Sequence, residues 1–191
     1  MKQALSRILP YTRVLVARVL VVGCAAWASQ AALAQADPYA EVNQLVRAGK
    51  LAEASTKADQ YLAGKPRDPQ MRFMKSVLQS ELGKPAEAIE TLTQLTQEFP
   101  ELPEPYNNLA VLYAGQNQYD KARTALEMAI RLNPNYATAH ENLGDVYAKL
   151  ASQSYSRSLQ LQGNNPQATQ KVAALTSMLA PQAAKPRPAG K

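Results

Sequence analysis

The chain has almost no reactive side chains. Of its 191 residues one is a cysteine, Cys24, and one is a histidine, His140. Cys24 falls in a leader expected to be removed, so the mature chain is expected to hold no thiol, which excludes disulfides and thiol chemistry. A lone imidazole lacks the partners that metal ligation or acid–base work requires. No glycine-rich phosphate loop, paired metal motif or nucleophile signature occurs. The chain therefore reads as non-catalytic, with no cofactor and no metal site expected.

A basic surface is missing too. The net charge of +6 includes Lys2, Arg7, Arg13 and Arg18 of the leader, whose removal leaves an excess of two. Lys185, Arg187 and Lys191 at the far end exceed that remainder. What lies between is near neutral, so the charge balance does not point to nucleic acid, which needs a clustered basic patch.

Long apolar runs are absent as well. The longest, from Val19 to Ala28, is about half the ~20 residues that a membrane-crossing helix needs. It follows a basic stretch with no acid and precedes the small-residue sites Ala32-Leu33-Ala34 and Ala34-Gln35-Ala36. That order reads as a signal peptide over residues 1–36, cut after Ala34 or Ala36, and no membrane span is expected in the mature form. The expected location is periplasmic. Val21-Val22-Gly23-Cys24 also resembles the lipobox of bacterial lipoproteins, so a membrane-anchored lipoprotein acylated at Cys24 is the alternative.

What the chain does have is a repeat. Ala54, Ala88 and Ala122 recur every 34 residues, and so do Pro66, Pro100 and Pro134; Gly49 and Gly83 keep the interval, with Asn117 in the third place. Between Pro103 and Tyr136 two apolar-striped segments flank a polar turn. Tyr106, Leu109, Ala110 and Tyr113 share one helical face, and Ala122, Ala125, Leu126, Ala129 and Ile130 share another. Gly115, Asn117 and Asp120 supply the turn, and Asn133-Pro134 stops the second segment. A helix, turn and helix repeated at this period resembles the tetratricopeptide repeat. Tyr106, Leu109, Ala110, Tyr113, Ala122, Leu126, Ala129 and Pro134 stand on that family's signature positions, and the resemblance covers roughly Gln35 to Pro166.

The resemblance implies an all-α, right-handed superhelical solenoid of antiparallel helix pairs. Its domain would span 37–180, with units at about 35–68, 69–102, 103–136 and 137–163 and a capping helix at 166–180. A disordered tail rich in proline, alanine and basic residues is expected over 181–191. Two places depart from the pattern. In the second unit the signature positions hold Arg72, Lys75, Ser76 and Gln79, so either its first helix is rotated or its turn holds an extra residue. In the fourth, Tyr155, Ser158 and Leu159 match Leu126, Ala129 and Ile130 at an offset of 29. The turn is lost, and one helix of roughly 37 Å from about Thr138 to Gln162 is expected at 1.5 Å per residue.

In this family first helices line a concave groove that takes an extended peptide or a partner's helix. Stepping by the period gives three rows: Tyr39, Phe73, Asn107 and Glu141; Asn43, Val77, Val111 and Asp145; Arg47, Glu81, Gly115 and Lys149. The mixture suits a protein or peptide partner with apolar and polar anchors. Phe73 and Val77 read equally well as core. Phe73 and Met74 stand where the family's carboxylate clamp would need polar groups, so capture of a C-terminal carboxylate is not expected. His140 falls on the Tyr106 position and is expected to pack between helices; Glu141, Asp145 and Lys149 read as a solvated charge ladder. The resulting expectation is a non-catalytic exported adaptor of the bacterial envelope. The alternative is an assembly subunit of an envelope complex of secretion or pilus type.

Overall fold

The computed structural model describes residues 37–180, so the expectations for the leader, for Cys24 and for the tail lie outside the described residues. The chain divides into two compact units, Met1–Glu41 and Val42–Lys191. Of the first, residues 37–41 are described, and there the Asp37 carboxylate accepts the Tyr39 amide at 3.0 Å. Eight helices are described: α1 (Pro38–Arg47), α2 (Leu51–Gly64), α3 (Pro69–Glu81), α4 (Pro85–Glu98), α5 (Pro103–Gly115), α6 (Tyr119–Leu132), α7 (Ala137–Leu161) and α8 (Pro166–Met178). No strand occurs among the described residues. From Val42 onward the chain is an all-α, right-handed superhelical solenoid.

The turns set the period. Gly49, Gly83 and Asn117 hold φ of +72°, +74° and +59°, a left-handed conformation that glycine adopts freely and asparagine adopts best among the rest. After each, the amide of Lys50, Lys84 or Gln118 donates to the carbonyl of Leu45, Gln79 or Tyr113 at 2.9, 2.8 and 2.9 Å. That bond satisfies a carbonyl left open at the end of the first helix. The Tyr119 hydroxyl donates to Asn117 Oδ1 at 2.7 Å and holds the one non-glycine turn in shape. Because each turn is the same, α2, α4 and α6 start and stop at the same phase of the 34-residue interval.

Packing follows from that phase. Ala54, Ala58, Ala88, Ala122 and Ala129 on the second helices are fully buried, with Leu92, Leu95 and Leu126 beside them. Small residues let helix axes approach closely, and each buried leucine contributes about 1.5–3 kcal/mol. Leu92, Leu95, Leu109, Ala110, Leu126, Ala139 and Val146 form one continuous core through α4, α5, α6 and α7.

The second unit keeps register, contrary to both expectations for it. α3 is neither rotated nor preceded by a longer turn; it starts and ends 34 residues before α5. Arg72, Ser76 and Gln79 are buried on the positions of Tyr106, Ala110 and Tyr113. Buried polar groups are tolerable when bonded, and these are. Arg72 Nη1 donates to Glu98 Oε1 at 2.9 Å and Nη2 to Gln94 Oε1 at 3.2 Å. Ser76 Oγ donates to the Phe73 carbonyl at 2.7 Å, and Gln79 Oε1 accepts the Thr91 hydroxyl at 2.9 Å. Lys75 Nζ reaches Asp59 of α2 at 2.6 Å. Polarity had concealed the register because the partners lie on other helices.

The fourth unit has no hairpin at its expected place. α7 runs unbroken for 25 residues, since nothing between Ala148 and Gln153 breaks a helix. α8 then folds back along its far half. Asn165 caps α8 by accepting the Ala168 amide at 3.0 Å, ahead of Pro166 in the first turn, and Ala168 is buried.

Candidate functional site

The first helices present the three rows on one side of the stack. Their phase is set by the turns, so residues one period apart stand side by side on neighbouring helices. In the middle row Asn43 and Asp145 are exposed, Val77 is 36% exposed and Val111 is 52% exposed. An exposed valine in the centre of a helical stack is the apolar contact a partner can use. In the outer row Arg47, Glu81, Gly115 and Lys149 are all exposed.

Two clefts join these rows. One, of about 160 Å³, lies between α3 and α5 and is lined by Ser76, Val77, Ser80 and Glu81 on one wall and by Asn108, Val111 and Leu112 on the other, with Leu92 beneath. The second, of about 350 Å³, lies between α5 and α7. Ala110, Val111, Ala114, Leu126 and Val146 give it an apolar floor, and Asn117, Tyr119, Asn142, Asp145 and Lys149 give it a polar rim. Val111 lines both clefts, so Val77, Glu81, Val111, Asp145 and Lys149 belong to one continuous surface.

Other row residues stand apart from it. Phe73 is half-buried and packs on the core. Asn107 is 4% exposed; its Oδ1 accepts Asn142 Nδ2 at 2.9 Å, and its own Nδ2 donates to Asn108 Oδ1 at 3.3 Å. The first of these bonds ties α5 to α7 and leaves Asn107 in the wall of the surface. Glu141 is exposed on α7. Tyr39 is half-buried in the first turn of α1, in the unit that ends at Glu41.

Stepping by the period missed Ser80, Asn108, Ala114, Asn117, Tyr119 and Asn142. Tyr119 and Asn117 come from the turn and the second helix, which the stepping did not sample. Asn142 is the neighbour of Glu141, one residue off its row. His140 corrects a further expectation: it is exposed, with Nε2 3.0 Å from the Pro134 carbonyl oxygen. An imidazole is shorter than the phenol of Tyr106, whose hydroxyl reaches the Thr96 carbonyl at 3.4 Å.

This surface is built to bind. It offers apolar contact, amide groups and charges of both signs. Among the described residues no group of three His, Cys, Asp or Glu is placed to hold a metal ion. No helix of the described residues is long and apolar enough to cross a membrane. Tyr136, whose phenol is pushed up from its ordinary range by burial and then by the Glu104 carboxylate, lies outside both clefts.

Comparison with known proteins gives a consistent result. A family model described as tetratricopeptide repeat matches residues 39–103, and one described as TPR repeat matches residues 112–150, together just over half of the chain. The tetratricopeptide repeat domain-containing protein PYG7, chloroplastic, of Arabidopsis thaliana is 45% identical over 49 residues, 26% of this chain. The chain spans 16% of the length of that curated relative. Among solved structures, a thermophilic TPR protein of Thermus thermophilus superposes with a TM-score of 0.56 at 26% identity, covering 75% of this chain and 81% of that one. The first TPR of Spaghetti (RPAP3), bound to an HSP90 peptide, superposes with a TM-score of 0.55 at 19% identity, covering 58% and 88%. At that identity the likeness concerns the fold.

Proposed function

The chain belongs to the tetratricopeptide-repeat family, and we propose that it is a non-catalytic exported adaptor that binds an extended protein segment along the first-helix surface. One observation carries the reading: Val111, 52% exposed at the centre of the stack, lines both clefts. A segment crossing it would set an apolar side chain on Val77 and Val111, with polar groups meeting Glu81 on one side and Asp145 and Lys149 on the other. The RPAP3 structure, whose domain holds an HSP90 peptide, supports a peptide as the class of partner. Carboxylate capture is not part of the proposal, because Phe73 is packed into the core.

The test is a photo-crosslinking amino acid at position 111, with the adduct identified by mass spectrometry. A single dominant partner, lost on Val111→Glu, is expected; exposed sites tolerate such changes within about 0.5 kcal/mol. Equal capture from Lys121, outside the two clefts, would sink the proposal. The envelope location rests on the basic leader and the small-residue sites after it. A mature mass that begins at Gln35 or Asp37 agrees with a free periplasmic protein. An acylated Cys24 would replace it with a lipoprotein.

A further inference from the structure

In the third unit the first helix is covered by the second helix of its own hairpin. The face of α5 that meets α6 carries Tyr106, Ala110 and Tyr113. Ala110 is 1% exposed, both tyrosines pack against the core, and Lys121 of α6 lies over the Tyr113 ring at 5.5 Å. One period on, the same face of α7 carries His140, Gly144 and Tyr147. There the cover is missing. His140 and Gly144 are exposed, Tyr147 is 47% exposed, and a Cβ placed on Gly144 would meet nothing within 4 Å.

The lost turn is the cause. Ala151, Tyr155 and Ser158 hold the second-helix places of Ala122, Leu126 and Ala129, but they run on as the far half of α7. A straight helix cannot fold back on its own first half. α8 covers part of this far half, with Lys171 over the Tyr155 ring at 4.8 Å. Ser154 and Leu161 stay exposed.

We propose that the open seat on α7 is filled by the far half of α7 from a second copy of this chain, paired antiparallel about a two-fold axis. Self-complementarity selects this occupant. The seat has the form that α5 offers to α6, and the residues that match α6 exist in the same chain, detached from their own seat. The hairpin register that pairs the Ala110 and Ala122 positions would set Gly144 of one copy against Ala151 of the other, and reciprocally. Both seats then fill in one step, and the contact closes as a dimer with nothing left open to extend it. Loss of a hinge between two elements that would otherwise pack within one chain favours such an exchange over the closed monomer. The axis would pass near Tyr147 and Ala148. At about 100° per residue Asp145 is a quarter-turn or more from Gly144 on the helix, so the peptide-binding surface stays open in both copies. The proposal does not depend on what that surface binds.

The test uses the purified full chain carrying Cys24→Ser. Sedimentation velocity over a hundredfold range of concentration should show a mass twice that of the chain. Gly144→Glu, which has open space in the monomer, should weaken association at least tenfold while leaving helix content unchanged. A Gly144→Cys/Ala151→Cys chain should oxidise to a covalent dimer. Within one helix those positions are seven residues and about 10 Å apart, beyond the ~7 Å that a disulfide spans between Cα atoms. A monomer at every concentration would overturn the proposal. So would a dimer that survives Gly144→Glu unchanged and leaves the double-cysteine chain uncrosslinked.

Discussion

Arg72 is the residue through which the register of the second unit can be measured. Its side chain is 10% exposed, with Nη1 on Glu98 at 2.9 Å and Nη2 on Gln94 at 3.2 Å. Arg72→Ala removes one hydrogen bond to a charged acceptor, about 1.5–3 kcal/mol, and one to a neutral acceptor, about 0.5–1.5 kcal/mol. The charged contribution belongs at its low end, because Glu98 is 33% exposed and keeps Arg67 at 3.6 Å, so water and a second cation compensate it. The expected loss is about 2–3 kcal/mol, or roughly 5–10 °C in Tm for a domain of this size. Arg72→Met keeps most of the packing along the stem and should cost about half as much. A double-mutant cycle with Glu98→Gln, read by chemical denaturation, should return a coupling of about 1 kcal/mol. Were α3 rotated instead, Arg72 would face solvent and its truncation would stay within about 0.5 kcal/mol, as surface changes do. That result, together with zero coupling, would refute the register.

Three further outcomes follow from the fold. Gly83→Ala, at φ +74°, should cost about 1–2 kcal/mol by backbone strain, whereas Asn117→Gly at the equivalent turn should be near neutral in the same denaturant titration. Leu126→Ala, at a fully buried position, should cost about 3–5 kcal/mol, measured by the loss of helical circular dichroism on heating. For Tyr136 the folded state holds the phenol proton more tightly than the unfolded chain, through burial and then Glu104. Its contribution is therefore complete below the ordinary tyrosine range near pH 10 and is lost as pH rises through the raised value. Tm should fall along that alkaline limb, and Tyr136→Phe should flatten the slope.

The alignment of like positions every 34 residues was legible because it rests on local chemistry. Gly49, Gly83 and Asn117 close the same turn at each recurrence, and a turn depends on a handful of consecutive residues. The run of helix formers from Ala148 to Gln153 likewise announced an unbroken α7, since helix continuation is decided within a few residues of any point. With turns and helix ends in place, the phase of each first helix follows, and so do the rows that carry Val77, Val111 and Asp145.

What only the tertiary structure decided are the fates of polar side chains whose partners lie far along the chain. Arg72 is buried because Glu98 and Gln94 stand on the next helix, 26 and 22 residues on. Asn107 is drawn into the wall of the surface by Asn142, 35 residues on. His140 stays in solvent because no helix comes to cover α7 there. In each case the free energy of a polar group turns on whether a partner arrives from another element. A one-dimensional pattern records what each residue is, but the arrival of that partner is a property of the stacked helices.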